Sequence, residues 1–118
     1  MRLPIRRVEK PWGYELIFAH TDRYVGKILH VNPGEALSLQ YHEKKDETLY
    51  LAEGEVELVV EEDGELRHTT LRAGESYRIV PFTRHRMVGG AGGCDIIEVS
   101  TPELDDVVRL EDRYGRAG

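Results

Sequence analysis

The side chains best suited to chemistry in this 118-residue chain are Gln40, His42, Glu47 and His85. On an extended strand the i, i+2 spacing of Gln40 and His42 puts both on one face with Ser38, while Tyr41 points away. A return of the chain after Lys45-Asp46 brings Glu47 back beside them. His85 follows the turn-forming run Pro81-Phe82-Thr83-Arg84, so a later strand delivers it to the same place. Two imidazoles, a carboxylate and an amide oxygen form a borderline-hard donor set. It suits Zn²⁺, Fe²⁺, Mn²⁺, Co²⁺ or Ni²⁺ rather than Ca²⁺ or Cu⁺, and it leaves positions open for water or substrate, as a Lewis acid requires. His20, His30 and His68 have no companion at ligand spacing and read as surface or hydrogen-bonded residues.

The elements that must position these groups are strands. Apolar and polar residues alternate from Tyr24 to Val31, and Asn32-Pro33-Gly34 ends that run as a turn. ALSLQYH, 36–42, again has period two and gives way to the charged run Glu43-Lys44-Lys45-Asp46. Two further strands are expected on either side of Glu53-Gly54, the second of them, EVELVVEE, ending at the hairpin turn Asp63-Gly64. ELRHTTL, ESYRIVP and DIIEVSTP follow, the last set off by the glycine-rich GGAGG. Helical periodicity is nowhere sustained. About eight short strands at this spacing point to an all-β sandwich or barrel, with a jelly roll first. The charged tail after Glu103 fits either a helical turn or an edge strand.

Composition excludes several classes of function. The length suits one hydrophobic core, so residues 1–118 are expected to form a single domain. A net charge of −6 argues against nucleic acid as partner. Cys94, the only cysteine, can form no intrachain disulfide. The N-terminus has basic residues but no apolar signal core, and no segment is long and apolar enough for a membrane helix. A cytoplasmic location is expected.

GEALSLQYHEKKDETLYLAEGEVEL and GESYRIVPFTRHRMV resemble the two cupin motifs. More narrowly, KPWGYEL, PGEALSLQYH, DIIEVSTP and DDVVRLEDRYGR, in this order, resemble the cupin domain of type II phosphomannose isomerases. That domain often forms the C-terminal part of bifunctional isomerase and mannose-1-phosphate guanylyltransferase enzymes. The resemblance implies a jelly-roll double-stranded β-helix, a divalent metal with zinc first, and Gln40, His42, Glu47 and His85 as its ligands. It also implies a sugar-phosphate substrate and a homodimer. Two positions depart from the pattern: Lys44 stands where the first motif usually has its second histidine, and Thr48 where the isomerases show another.

The implied activity is aldose–ketose isomerisation of mannose 6-phosphate or a related sugar phosphate, in which a base moves a proton between C1 and C2. Glu98 and Lys44 are the catalytic candidates. Lys44, Arg78, Arg84 and Arg86 are candidates for phosphate binding, although each also reads as a solvated surface cation. Arg84 and Arg86 flank His85 and so should point away from it on a strand. Trp12 and Tyr14 read as core or interface anchors before sugar platforms. The rival readings are a sugar- or metabolite-binding module without turnover, which the change at Lys44 favours, and an iron oxygenase, which rests on fold analogy alone.

Overall fold

A computed structural model describes residues 1–116. Its nine strands are β1 (Arg6–Lys10), β2 (Gly13–His20), β3 (Val25–Val31), β4 (Leu39–Tyr41), β5 (Glu47–Glu62), β6 (Glu65–Arg72), β7 (Ser76–Ile79), β8 (His85–Ser100) and β9 (Val108–Glu111). All pair antiparallel, and the described residues contain no helix.

The long strands β5 and β8 organise the rest. Their first partnership, Glu47↔Ser100 to Gly54↔Cys94, lies between β3 and β7 and builds the layer β1-β2-β3-β8-β5-β7. Their second, Val56↔Gly89 to Val60↔His85, lies between β4 and β6 and builds the layer β9-β4-β8-β5-β6. One curled sheet thus supplies both walls of the core. Inward positions recur with period two: Leu49 and Leu51 stand with Leu29, Val31 and Ile96 on the first wall, and Val56, Leu58, Val60 and Met87 line the second. Each such fully buried side chain contributes about 1.5–3 kcal/mol.

Three local readings are revised by this architecture. Glu53-Gly54 does not separate two strands. The ladder shifts register there, at Leu51/Glu53 and Gly54/Val56, and β5 bends from one wall to the other without ending. GGAGG likewise lies inside β8 rather than before a new strand. Gly54 and Gly93 have φ of 81° and 74°, and a Cβ on Gly54 would lie 2.2 Å from the Gly93 carbonyl oxygen. These glycines therefore permit a crowded corner, where an isolated sequence suggests a loop. The period-two run 36–42 forms ladder only over Leu39–Tyr41, with one isolated bridge at Ala36.

Other expectations hold. Asp63 and Gly64 both have positive φ, 52° and 80°, as a type I′ hairpin requires. Glu35 N–H closes the Asn32-Pro33-Gly34 turn on Asn32 O at 3.1 Å. The tail takes the strand alternative: β9 extends the second wall by pairing with β4.

Candidate metal centre and cavity

Parity places the ligands. Gln40 on β4 stands opposite His85 on β8, and residues directly opposite in an antiparallel pair share a face. His42 follows β4 with the same parity. Glu47 opens β5 on the facing wall, where its inward neighbours are Leu49 and Leu51.

Each imidazole is oriented from behind. His42 Nδ1 donates to Asp106 O at 2.5 Å and His85 Nδ1 donates to Thr83 O at 2.9 Å. A carbonyl oxygen only accepts, so Nδ1 bears the hydrogen and a neutral ring presents a bare Nε2. His42 Nε2 lies 3.3 Å from Glu47 Oε2, and His85 Nε2 lies 3.7 Å from Glu47 Oε1. Both Nε2 atoms and Glu47 Oε2 are buried with no hydrogen-bond partner. Such groups are costly unless something satisfies them. One donor atom from each of the three residues falls within 4.8 Å of the others, a spacing at which they could hold one ion. Gln40 lines the adjoining cavity, and its Oε1 accepts from Ser38 Oγ at 2.7 Å.

Burial opposes charge on Glu47, yet its close contact with His42 and the ammonium of Lys45 hold its carboxyl down at about 2. Burial lowers the His85 imidazole, keeping it neutral and ligand-ready despite the opposing pull of Glu47. For Lys45, burial acts to release the proton, but Glu98 and Glu47 outweigh it and the ammonium is firmly held.

Lys45, which sequence reasoning passed over in favour of Lys44, is buried in this cluster. Its Nζ lies 3.1 Å from Glu47 Oε2 and 3.0 Å from Glu98 Oε2. From Glu98 the alternation of charge continues to Lys27 at 3.9 Å, Glu15 at 3.4 Å and Lys10 at 4.0 Å. Lys44 is exposed. Its backbone N–H, with those of Glu43 and Lys45, donates to the Asp106 carboxylate at 2.7–3.1 Å. Asp106 therefore fixes both the loop and the His42 ring. A signal for part of this set was present: Lys27 shares the inward parity of Val25, Leu29 and Val31, and Glu98 that of Cys94 and Ile96.

A cavity of about 340 Å³ opens over this floor, lined among others by Trp12, Gln40, His42, Lys45, Glu98 and Arg109. That volume is at the small end for a small-molecule site. Glu47 and His85 lie behind its wall, 2% and 0% exposed. Glu98, 3% exposed, lies at the cavity. Arg78, Arg84 and Arg86 are not among the lining residues. Arg78 forms a two-pronged pair with Asp46, Arg84 binds Glu61, and Arg86 donates to Leu37 O and Glu111 O. Trp12 is core and cavity wall together, whereas Tyr14 stacks on His30 away from the site.

Residues 4–112 match the family described as mannose-6-phosphate isomerase C-terminal. Mannose-1-phosphate guanylyltransferase of Escherichia coli K12 is 40% identical over 116 residues, covering 94% of this chain and 23% of that protein. The chain thus spans about a quarter of the length of that curated relative. Among solved structures, KdgF from Halomonas sp. superposes with a TM-score of 0.70 at 23% identity, over 87% of this chain and 89% of that one. A Klebsiella pneumoniae protein described as having a double-stranded β-helix domain gives 0.69 at 21% identity, over 83% and 84%. The fold is accordingly the cupin jelly roll, in agreement with the motif resemblance.

Proposed function

The chain belongs to the mannose-6-phosphate isomerase C-terminal family, and on that premise we propose that it is a divalent-metal-dependent isomerase of a phosphorylated sugar, mannose 6-phosphate or a close relative. The observation that supports this best is the convergence of two bare Nε2 atoms and an unpartnered carboxylate oxygen beside a cavity that also holds Glu98.

His42, Glu47 and His85 would hold the metal, with Gln40 as the fourth donor. Zinc is the first candidate, then manganese, iron, cobalt or nickel. Bound there, the ion would supply Lewis acidity toward a carbonyl oxygen. The chain supplies the rest. The walls of the cavity exclude bulk water from the sugar. Glu98 serves as the base that takes the proton from one carbon and returns it to the next. Lys45, fixed between Glu47 and Glu98, aims the Glu98 carboxylate through their 3.0 Å ion pair and offers an ammonium hydrogen to an oxygen that gains charge.

The test is conversion of mannose 6-phosphate to fructose 6-phosphate, followed by NMR on protein reconstituted with each of the five metals. Turnover that disappears in Glu98→Gln but leaves metal content intact supports the assignment. Fully metallated protein that turns over no sugar phosphate defeats it.

A second reading, a sugar- or metabolite-binding module without turnover, is favoured by one feature: Lys44, in place of the motif's second histidine, points to solvent and supplies no ligand. Thermal stabilisation by a sugar phosphate without turnover would select it. The reading further assigns residues 1–118 to one domain and the protein to the cytoplasm. It also pairs two copies through sheet edges or exchanged terminal strands. No helix among the described residues is long and apolar enough to cross a membrane.

A further inference from the structure

The residues that line the cavity carry more cations than anions, within an acidic protein. Six of its lining residues are Lys or Arg and three are Asp or Glu, an excess of three positive charges in a chain of net charge −6. Inner cations are already matched, since Lys45 and Lys27 face Glu47, Glu98 and Glu15. Arg116 is also taken, donating at 2.9 and 3.1 Å to the fully buried Asp112 carboxylate. Arg109 and Arg6 differ. Neither forms a salt bridge or side-chain hydrogen bond among the described residues, and Arg109 Nε is buried without a partner.

Register aims Arg109 inward. It pairs with Gln40 across β4 and β9, and both line the cavity. Arg6 lies on β1, the edge strand of the first wall, as β9 is the edge of the second. The two guanidinium groups therefore belong to opposite lips of one opening. A buried guanidinium nitrogen with no acceptor calls for an anionic oxygen, and the planar fork of arginine matches phosphate.

We infer that Arg109, with Arg6 on the opposite lip, forms a subsite for the phosphate group of a phosphate monoester. This rests on the isomerase reading only in its orientation: a phosphate held at the lips leaves the other end of the molecule toward His42 and Glu98. It differs from the sequence candidates Arg78, Arg84 and Arg86, whose guanidiniums are engaged outside the cavity.

Inorganic phosphate is the probe, its binding read by titration calorimetry and by the shift in Tm of the metal-free protein in chelator, with sodium chloride held constant. Wild-type protein is expected to bind it. Arg109→Gln should weaken binding about tenfold or more, and Arg109→Lys, which keeps the charge but loses the fork, should lie between. Arg6→Gln, on an exposed edge strand, should weaken it without altering the fold, which guards against misfolding of the Arg109 variants. His42→Ala should leave phosphate affinity unchanged. Failure of wild-type protein to bind phosphate overturns the inference, as does equal binding by Arg109→Gln and wild type. Loss in His42→Ala with retention in Arg109→Gln also overturns it, because the anion then sits at the metal ligands. Phosphate binding through Arg109 without any isomerisation would sink the isomerase reading and leave the subsite standing. Isomerisation of mannose and mannose 6-phosphate at equal rates, unaffected by Arg109→Gln, would do the reverse.

Discussion

Replacing Glu47 by glutamine keeps its shape and removes the charge on which His42 Nε2, His85 Nε2 and Lys45 Nζ converge at 3.3, 3.7 and 3.1 Å. The folded carboxyl sits at about 2 against an ordinary 4.5. A carboxyl depressed on folding adds stability that is complete above its unfolded value and disappears as pH falls through its folded one. The window for Glu47 therefore runs from about pH 4.5 down to pH 2. The depression corresponds to about 3 kcal/mol, of which about 2 kcal/mol is lost by pH 3. Urea denaturation of metal-free wild type and Glu47→Gln, in chelator from pH 7 to pH 3, follows the contribution of this charge and of the groups coupled to it, because the remaining acidic groups are common to both proteins. Wild type should exceed the variant by about 3 kcal/mol at pH 7, and the gap should narrow by about 2 kcal/mol at pH 3. A gap that stays constant over that range would show that Glu47 is not held ionised by its neighbours, and the account of the cluster would fall.

Three other outcomes are expected. His42→Ala should lose its metal by elemental analysis of protein purified without chelator or a metal-affinity column; full occupancy in the variant would rule out the ligand set. Lys45→Met should cost about 3–5 kcal/mol in urea, because it leaves Glu47 and Glu98 buried with one cation fewer, whereas Lys44→Ala should stay within about 0.5 kcal/mol. Equal costs for the two adjacent lysines would contradict the loop path. Gly54→Ala should lower stability by about 2 kcal/mol or more, since its Cβ would meet the Gly93 carbonyl at 2.2 Å; a neutral substitution would mean that the corner relaxes freely.

What the sequence disclosed was whatever depends on neighbours along the chain. Strand parity puts Gln40 and His42 on one face, and the structure places both at the cavity; Asp63-Gly64 forms the expected turn. What stayed hidden depends on partners far away in the chain. Within Glu43-Lys44-Lys45-Asp46 nothing local tells which lysine turns inward. That choice is made by Asp106, which takes three backbone N–H groups of the run. Arg109 went unnoticed for the same reason, because its inward aim follows from the pairing of β9 with β4. The glycines of β8 look like a break since their crowding comes from Val31, Pro33 and Glu55 on other segments. Lys27, Glu98 and Glu15 are a different case: charged residues at inward parity are visible in the alternation itself, and that parity is the better guide to the site than nearness to a motif.

The bend shared by β5 and β8 gives the molecule the outline of a pair of tongs. Glu47 and Glu98 ride on one jaw and His85 on the other, while the pivot at Gly54 and Gly93 lies roughly 23 Å of strand away from the grip. The gap between the jaws, and with it the size of ion or sugar that fits, can then be tuned by residues that never touch either. A lineage adjusting its substrate has a handle at the pivot that changes the spacing of the ligands without replacing any of them.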